Sequence, residues 1–300
     1  MNTYLGEVAA LLTSFFWSGS SIFFTLAGRK YGSLVVNRIR LIFAAVFLIL
    51  LNWAILGQPI PWNAGAERWF WMSLSGFVGL VLGDIFLFQS YLWVGPRLTM
   101  LMMSLSPVIG ALSAWLFLGE TLPLAKLFAI LVTLSGIAWV IWDGNSKGGR
   151  ARNPNYLRGI VFGVGAAAGQ ALGLVLSKKG MGTELSPIAG NVIRMIAATF
   201  LLWAITLFQG QGGATLKQIR QTPRALWLVM GGAICGPFVG VSFSLYAVQH
   251  ADVGVASTLM ALSPVVLLPV SYFFFKERFG WSAVVATMIA ISGVALLFLL

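Results

Sequence analysis

The sequence predicts an all-α integral membrane protein with ten transmembrane helices, built as two five-helix repeats of inverted topology. Three observations carry this. Of 300 residues, 59% are hydrophobic and only 9% charged, against about 25% charged in an ordinary soluble domain. The apolar residues fall in runs of about 20, the length that spans a bilayer core. Short motifs of the first half also recur, in order, in the second, which marks an internal duplication.

The same numbers exclude whole classes. With 19 basic and 8 acidic side chains, the chain cannot clothe a soluble enzyme of this size. A net charge of +11 would point to nucleic acid in a soluble protein. Here the basic residues lie between apolar runs, and no basic soluble segment exists to hold a nucleic acid. The single cysteine, Cys235, and single histidine, His250, allow neither an intrachain disulfide nor a Cys/His metal cluster. No cofactor, metal or catalytic residue is expected. The N-terminus lacks the basic region and cleavage site of a signal peptide, so its apolar run is expected to be retained.

The first five helices are expected at Tyr4–Gly28, Ser33–Leu56, Trp69–Trp93, Pro96–Leu118 and Leu124–Trp142. The second five are expected at Tyr156–Ser177, Ser186–Phe208, Ala225–Gln249, Val253–Phe275 and Trp281–Leu300. Between the sets lies a polar linker over 143–156, rich in Gly, Asn and basic residues. The repeats are therefore 1–142 and 157–300.

The duplication shows as matched motifs. LSPV at Leu105–Val108 recurs at Leu262–Val265, and Pro107 and Pro264 stand 157 positions apart. At that spacing Glu120 meets Glu277, and Ser135-Gly136 meets Ser292-Gly293. Asn37–Arg40 (NRIR) meets Asn191–Arg194 (NVIR) at a spacing of 154. An odd number of helices per repeat forces the second half to enter the membrane from the opposite side, an architecture of secondary transporters. Of the connector Lys and Arg, twelve fall on one side, from Arg29 and Lys30 to Lys276 and Arg278. Only Arg68, Lys126, Lys178 and Lys179 fall on the other. The richer side should be cytoplasmic, with both termini outside.

The stretch Tyr91–Trp142, with Ser-Pro in a small-residue helix, then Leu-Gly-Glu, then a helix with Ser-Gly, resembles the EamA module of the drug/metabolite transporter superfamily. Residues from Leu262 resemble a second copy, with Lys276 in place of the glycine before Glu277. Within the superfamily the chain is similar to YddG-type bacterial amino-acid exporters. The resemblance implies a multi-pass carrier of the bacterial inner membrane, exporting amino acids, aromatic or hydrophobic, and related metabolites by alternating access. Drugs, sugar phosphates and nucleotide sugars are the alternative cargoes within the superfamily. The expected partners are a small-molecule substrate and the lipid bilayer, the chain acting as a monomer. A passive channel is the alternative class; no ring of like charges or carbonyl-filter motif supports it. No P-loop, H-E-x-x-H or Ser/His pair supports an ATPase or an intramembrane enzyme.

Candidate functional residues follow from polarity and depth. Trp17 lies about 20 Å into the first helix, and its repeat counterpart is Gln170. A mid-depth tryptophan and a glutamine in hydrocarbon read either as opposite walls of a cavity or as helix packing. Ser14, Ser18 and Ser21 extend the polar side of the first helix. Phe77, Tyr91, Phe238, Ser242 and Tyr246, with Met102 and Met260 near the prolines, could line a cavity for an amphipathic solute. Pro107 and Pro264 are expected as mid-helix kinks, gating or static. Asp84 lies about 15 Å, and Arg40 about 10 Å, from the cytoplasmic end of their helices. Either they pair as a structural lock or Asp84 couples protons. Arg38 is slightly shallower. Arg194 is placed toward the outer face with Glu184 as its acidic neighbour; it binds an anionic substrate group or snorkels to the headgroups. Glu7, Glu120, Glu277 and His250 are expected to be structural or interfacial.

Overall fold

A computed structural model describes residues 3–118, 122–146, 154–181, 185–250, 259–276 and 280–299. Among these residues all regular structure is helical. Among the described residues, eight continuous helical spans are long and apolar enough to cross a membrane, two of them running through π segments. In lipid a helix satisfies its own backbone hydrogen bonds, which is why apolar runs of this length take that form.

The first half contains α1 (Thr3–Tyr31), α2 (Ser33–Leu56), α3 (Ala66–Gly76), α4 (Asp84–Met103), α5 (Leu105–Leu118) and α6 (Leu124–Ser146). The second contains α7 (Tyr156–Met181), α8 (Pro187–Phe208), α9 (Gly212–Gln221), α10 (Pro223–Ala233), α11 (Val241–His250), α12 (Ser263–Phe273) and α13 (Trp281–Leu299). Two π-helical segments join α3 to α4 and α10 to α11, at Phe77–Gly83 and Ile234–Gly240. Their ends are again 157 positions apart, the spacing of the matched prolines.

Turns come where the backbone requires glycine. Gly95 has φ 81 and ψ 166 inside α4 and divides it into two helical pieces; a side chain there would be strained. The expected boundary between Trp93 and Pro96 is this break. The α1–α2 turn is similarly held by Gly32 at φ 77.

Packing is related by exchange of the halves. α1 packs on α10, the second π segment and α11, as α7 packs on α3, the first π segment and α4. α1 also meets α12, as α7 meets α5. α2 pairs with α8, and α6 with α13, so these two pairs each join equivalent helices. The Ser-Gly motif explains the second pair. A Cβ on Gly136 would collide with the Ala290 backbone, and one on Gly293 with the Thr133 backbone. Thr133 and Ala290 are themselves equivalent, so the same small-residue contact is made twice. Such close approach replaces the hydrophobic drive that lipid removes.

Two elements depart from the reading of sequence alone. The connector after α8 folds as α9, which buries Thr215. The prolines are not mid-helix. Pro107 follows a turn at Ser104, in the first turn of α5, and Pro264 opens α12 after Ala261-Leu262. At a helix start the missing N–H costs no hydrogen bond. The Met260 carbonyl, left without Pro264 as donor, accepts from Ser263 Oγ at 3.3 Å.

Candidate functional site

The two π segments divide between them Trp17, Gln170, Phe77, Phe238 and the charged candidates Arg40, Asp84 and Arg194. A π turn bonds each carbonyl to the N–H five residues on, and such turns concentrate at functional sites. In the second segment Pro237 cannot donate to the Gly232 carbonyl. Ser20 Oγ from α1 takes that carbonyl instead, at 2.9 Å. In the first segment no proline stands at the matching position, Leu80. There Asn37 Nδ2 from α2 reaches the Leu80 and Val81 carbonyls at 3.3 and 3.5 Å. The counterpart of the Ser20 contact is kept with donor and acceptor exchanged: Ser75 Oγ donates to the Gly173 carbonyl at 2.5 Å. Ser75 matches Gly232, and Gly173 matches Ser20.

Trp17 and Gln170 sit at matching ends of these segments. A Cβ on Gly240 would come within 2.7 Å of Trp17 Cδ1. A Cβ on Gly83 would lie 3.5 Å from the Gln170 backbone nitrogen. Both side chains are partly buried. Ser18 and Ser21 are buried and donate to backbone carbonyls. Ser18 Oγ bonds Ser14 O at 2.6 Å and Ser263 O at 3.2 Å, tying α1 to the start of α12 beside Pro264. Ser21 Oγ bonds Ser18 O at 2.7 Å.

The remaining candidates separate into core and partly open residues. Met102 is fully buried in the α4–α7 core, and Tyr91 is buried with its hydroxyl 3.3 Å from Met100 Sδ. Phe77, Phe238, Ser242 and Met260 are partly buried. Phe238 packs on Phe47 at 5.5 Å between centroids. Tyr246 stacks on His250 at 4.0 Å, and its carbonyl lies 2.9 Å from His250 Nδ1. Glu120, Glu184 and Glu277 lie outside the described residues. An apolar groove of about 740 Å³ opens on the α2–α8 face, between Ile42 and Trp203. None of these candidates lines it.

Among the described residues, a buried ion pair stands at the first π segment. Asp84, at its C-terminal end, accepts a hydrogen bond and ion pair from Arg40 Nη2. The Arg40 guanidinium also lies 5.6 Å from the Phe88 ring centroid. Arg194 reaches the same place from the other half. Its Nη2 lies 3.3 Å from where a Gly79 Cβ would stand, and Asp84 is its acidic neighbour. It is buried, at 8% exposure, so it does not snorkel to the headgroups. Arg38 bonds neutral groups at the start of α9, Thr215 Oγ1 at 2.7 Å and Gln211 Oε1 at 2.6 Å, while its Nε, like that of Arg40, has no hydrogen-bond partner. Asn37 is the residue that sequence reasoning passed over. The NRIR/NVIR match contained it, but nothing in the match says that its amide meets a π segment on another helix.

Among known proteins, the EamA-like transporter family matches residues 4–142 and 157–299. The two matches fall on the two halves and leave the linker between them. No curated protein matches the chain. A solved structure described as "Crystal structure of protein" is 18% identical, matched over 98% of this chain and 96% of its own, with a TM-score of 0.60. That likeness shows the fold. The two family matches show the family: the chain belongs to the EamA-like transporters, multi-pass membrane proteins of the drug/metabolite transporter superfamily.

Proposed function

We propose that this EamA-like transporter is a secondary carrier that exports amino acids, aromatic and hydrophobic ones above all, with related small metabolites, across the bacterial inner membrane by alternating access. The observation that carries the reading is the exchange-related packing of the halves around two equivalent π segments. Counted as five spans per half, the halves are inverted repeats, and a carrier works by letting such halves trade inward- and outward-open roles about one central site. Both termini then face outward and the linker faces the cytoplasm.

In this reading Trp17, Gln170, Phe77, Phe238, Ser242, Tyr246 and Met260 bound the solute path, and the helix starts at Pro107 and Pro264 shape its ends. Aromatic and thioether surface suits an apolar side chain, and the few polar groups orient the head of the solute. The Arg40–Asp84 pair acts as a lock rather than a proton relay, because breaking it leaves a charge alone in the membrane interior.

The test is uptake into proteoliposomes with a panel of amino acids, run with and without a pH gradient. Saturable uptake of phenylalanine, tryptophan or leucine is expected, and Asp84→Asn should leave the pH dependence of any residual transport unchanged. Transport of sugar phosphates or drugs with no transport of any amino acid would overturn the substrate class.

A further inference from the structure

Among the described residues, the buried charges around the first π segment do not balance. Arg40 and Arg194 contribute two positive charges and Asp84 one negative, and all three are buried. Asp84 is engaged by Arg40. On Arg194 the Nε and Nη2 atoms have no hydrogen-bond partner. These two nitrogens form one edge of the guanidinium fork, with their N–H bonds parallel. That is the edge on which a carboxylate is held by two hydrogen bonds. A buried cation with an empty donor edge is costly unless something completes it.

We infer that the Nε–Nη2 edge of Arg194 is a recognition site for a monovalent carboxylate, the acid group of the transported solute. The inference deepens the carrier reading and rests on it for the identity of the solute; the charge argument stands on its own. The site is built from both halves. Arg194 comes from α8, while Gly79 and Asp84 belong to the first π segment and its end. Glycines let Arg194 approach the segment: a Cβ on Gly76 would stand 2.5 Å from the Arg194 carbonyl oxygen, and one on Gly79 3.3 Å from Nη2. An anion seated on Arg194 therefore neutralises the surplus charge at the contact between halves, where a change of packing would be felt.

The site predicts selectivity among four simple probes. 3-Phenylpropionate carries the carboxylate without an amine, phenethylamine carries the amine without a carboxylate, and chloride carries only the charge. The experiment is a thermal-shift titration of the purified full-length protein in detergent at constant ionic strength. Acetate serves as the minimal carboxylate. Phenylpropionate and acetate should stabilise the wild type, and phenethylamine should not. Arg194→Gln should weaken the phenylpropionate response at least about tenfold, the loss expected for one charge-assisted contact. Arg194→Lys, which keeps the charge but not the fork, should recover only part of it.

Equal binding by wild type and Arg194→Gln would overturn the site. So would stabilisation of the wild type by chloride as strong as that by acetate, which would mean an anion site with no carboxylate geometry. No response to either carboxylate would also overturn it. These wild-type arms stand even if the variant fails to fold. Carboxylate binding that depends on Arg194, in a protein that moves no amino acid across liposomes, would retain the site and reject the carrier reading.

Discussion

The two π segments have the same backbone and opposite chemistry. Phe77–Gly83 and Ile234–Gly240 occupy equivalent positions and each packs, through glycines, on the first helix of the opposite half. Their causes differ. Pro237 denies the second segment a backbone donor, whereas Asn37 draws carbonyls out of the first. Their surroundings differ more. The first is ringed by Asp84, Arg40 and Arg194; at the second, Val241 stands where Asp84 would, and Trp17 closes on Gly240. The repeat preserves the backbone of the two segments, and the substitutions around them make their chemistry inequivalent.

The comparison breaks most sharply at Asp84. Asp84→Asn leaves two buried arginines without a carboxylate and should cost about 3–5 kcal/mol. Val241→Ala at the equivalent site should cost about 1 kcal/mol. Denaturation in detergent micelles reads both. Similar losses would mean that the pair is not a lock.

A smaller difference is expected at the glycines that close the segments. Gly240→Ala drives a methyl into the Trp17 indole, with Cys235 O at 2.8 Å on its other side, and should cost about 1–3 kcal/mol. Gly83→Ala meets nothing nearer than 3.4 Å and should change stability by less than about 0.5 kcal/mol. Equal effects would argue against the asymmetric seating of Trp17. The smallest effect is a sameness. Ser20→Ala and Ser75→Ala each remove one hydroxyl-to-carbonyl bond between halves, and each should cost about 0.6–1 kcal/mol. A much larger loss at Ser20 would show that the carbonyl freed by Pro237 depends on that hydroxyl alone.

The architecture was largely legible in the sequence because length and apolarity decide a membrane helix before packing does. The break at Gly95 fell where Gly-Pro marks it, and the Ser-Gly repeats fell on the α6–α13 contact. The π segments were not legible, because glycine-rich apolar runs carry the same pattern whether each carbonyl bonds four or five residues on. Nor was α9, a short polar helix whose buried face is one threonine and part of Ile219. Pro107 and Pro264 read as kinks because an unbroken apolar run hides the turn before each of them. The burial of Arg194 was hidden for a different reason. Depth along a helix can be counted from sequence, but which helices touch at that depth cannot. Glu184, near in sequence, lies outside the described residues, and Asp84, remote in sequence, is an acidic neighbour of Arg194 in space.

The most direct test of the carrier account is counterflow. Proteoliposomes loaded with unlabelled phenylalanine should take up external labelled phenylalanine faster than empty ones, to a transient excess, and the rate should saturate with external concentration. Uptake that is indifferent to internal phenylalanine and rises linearly without saturation would mark a passive pore and contradict alternating access.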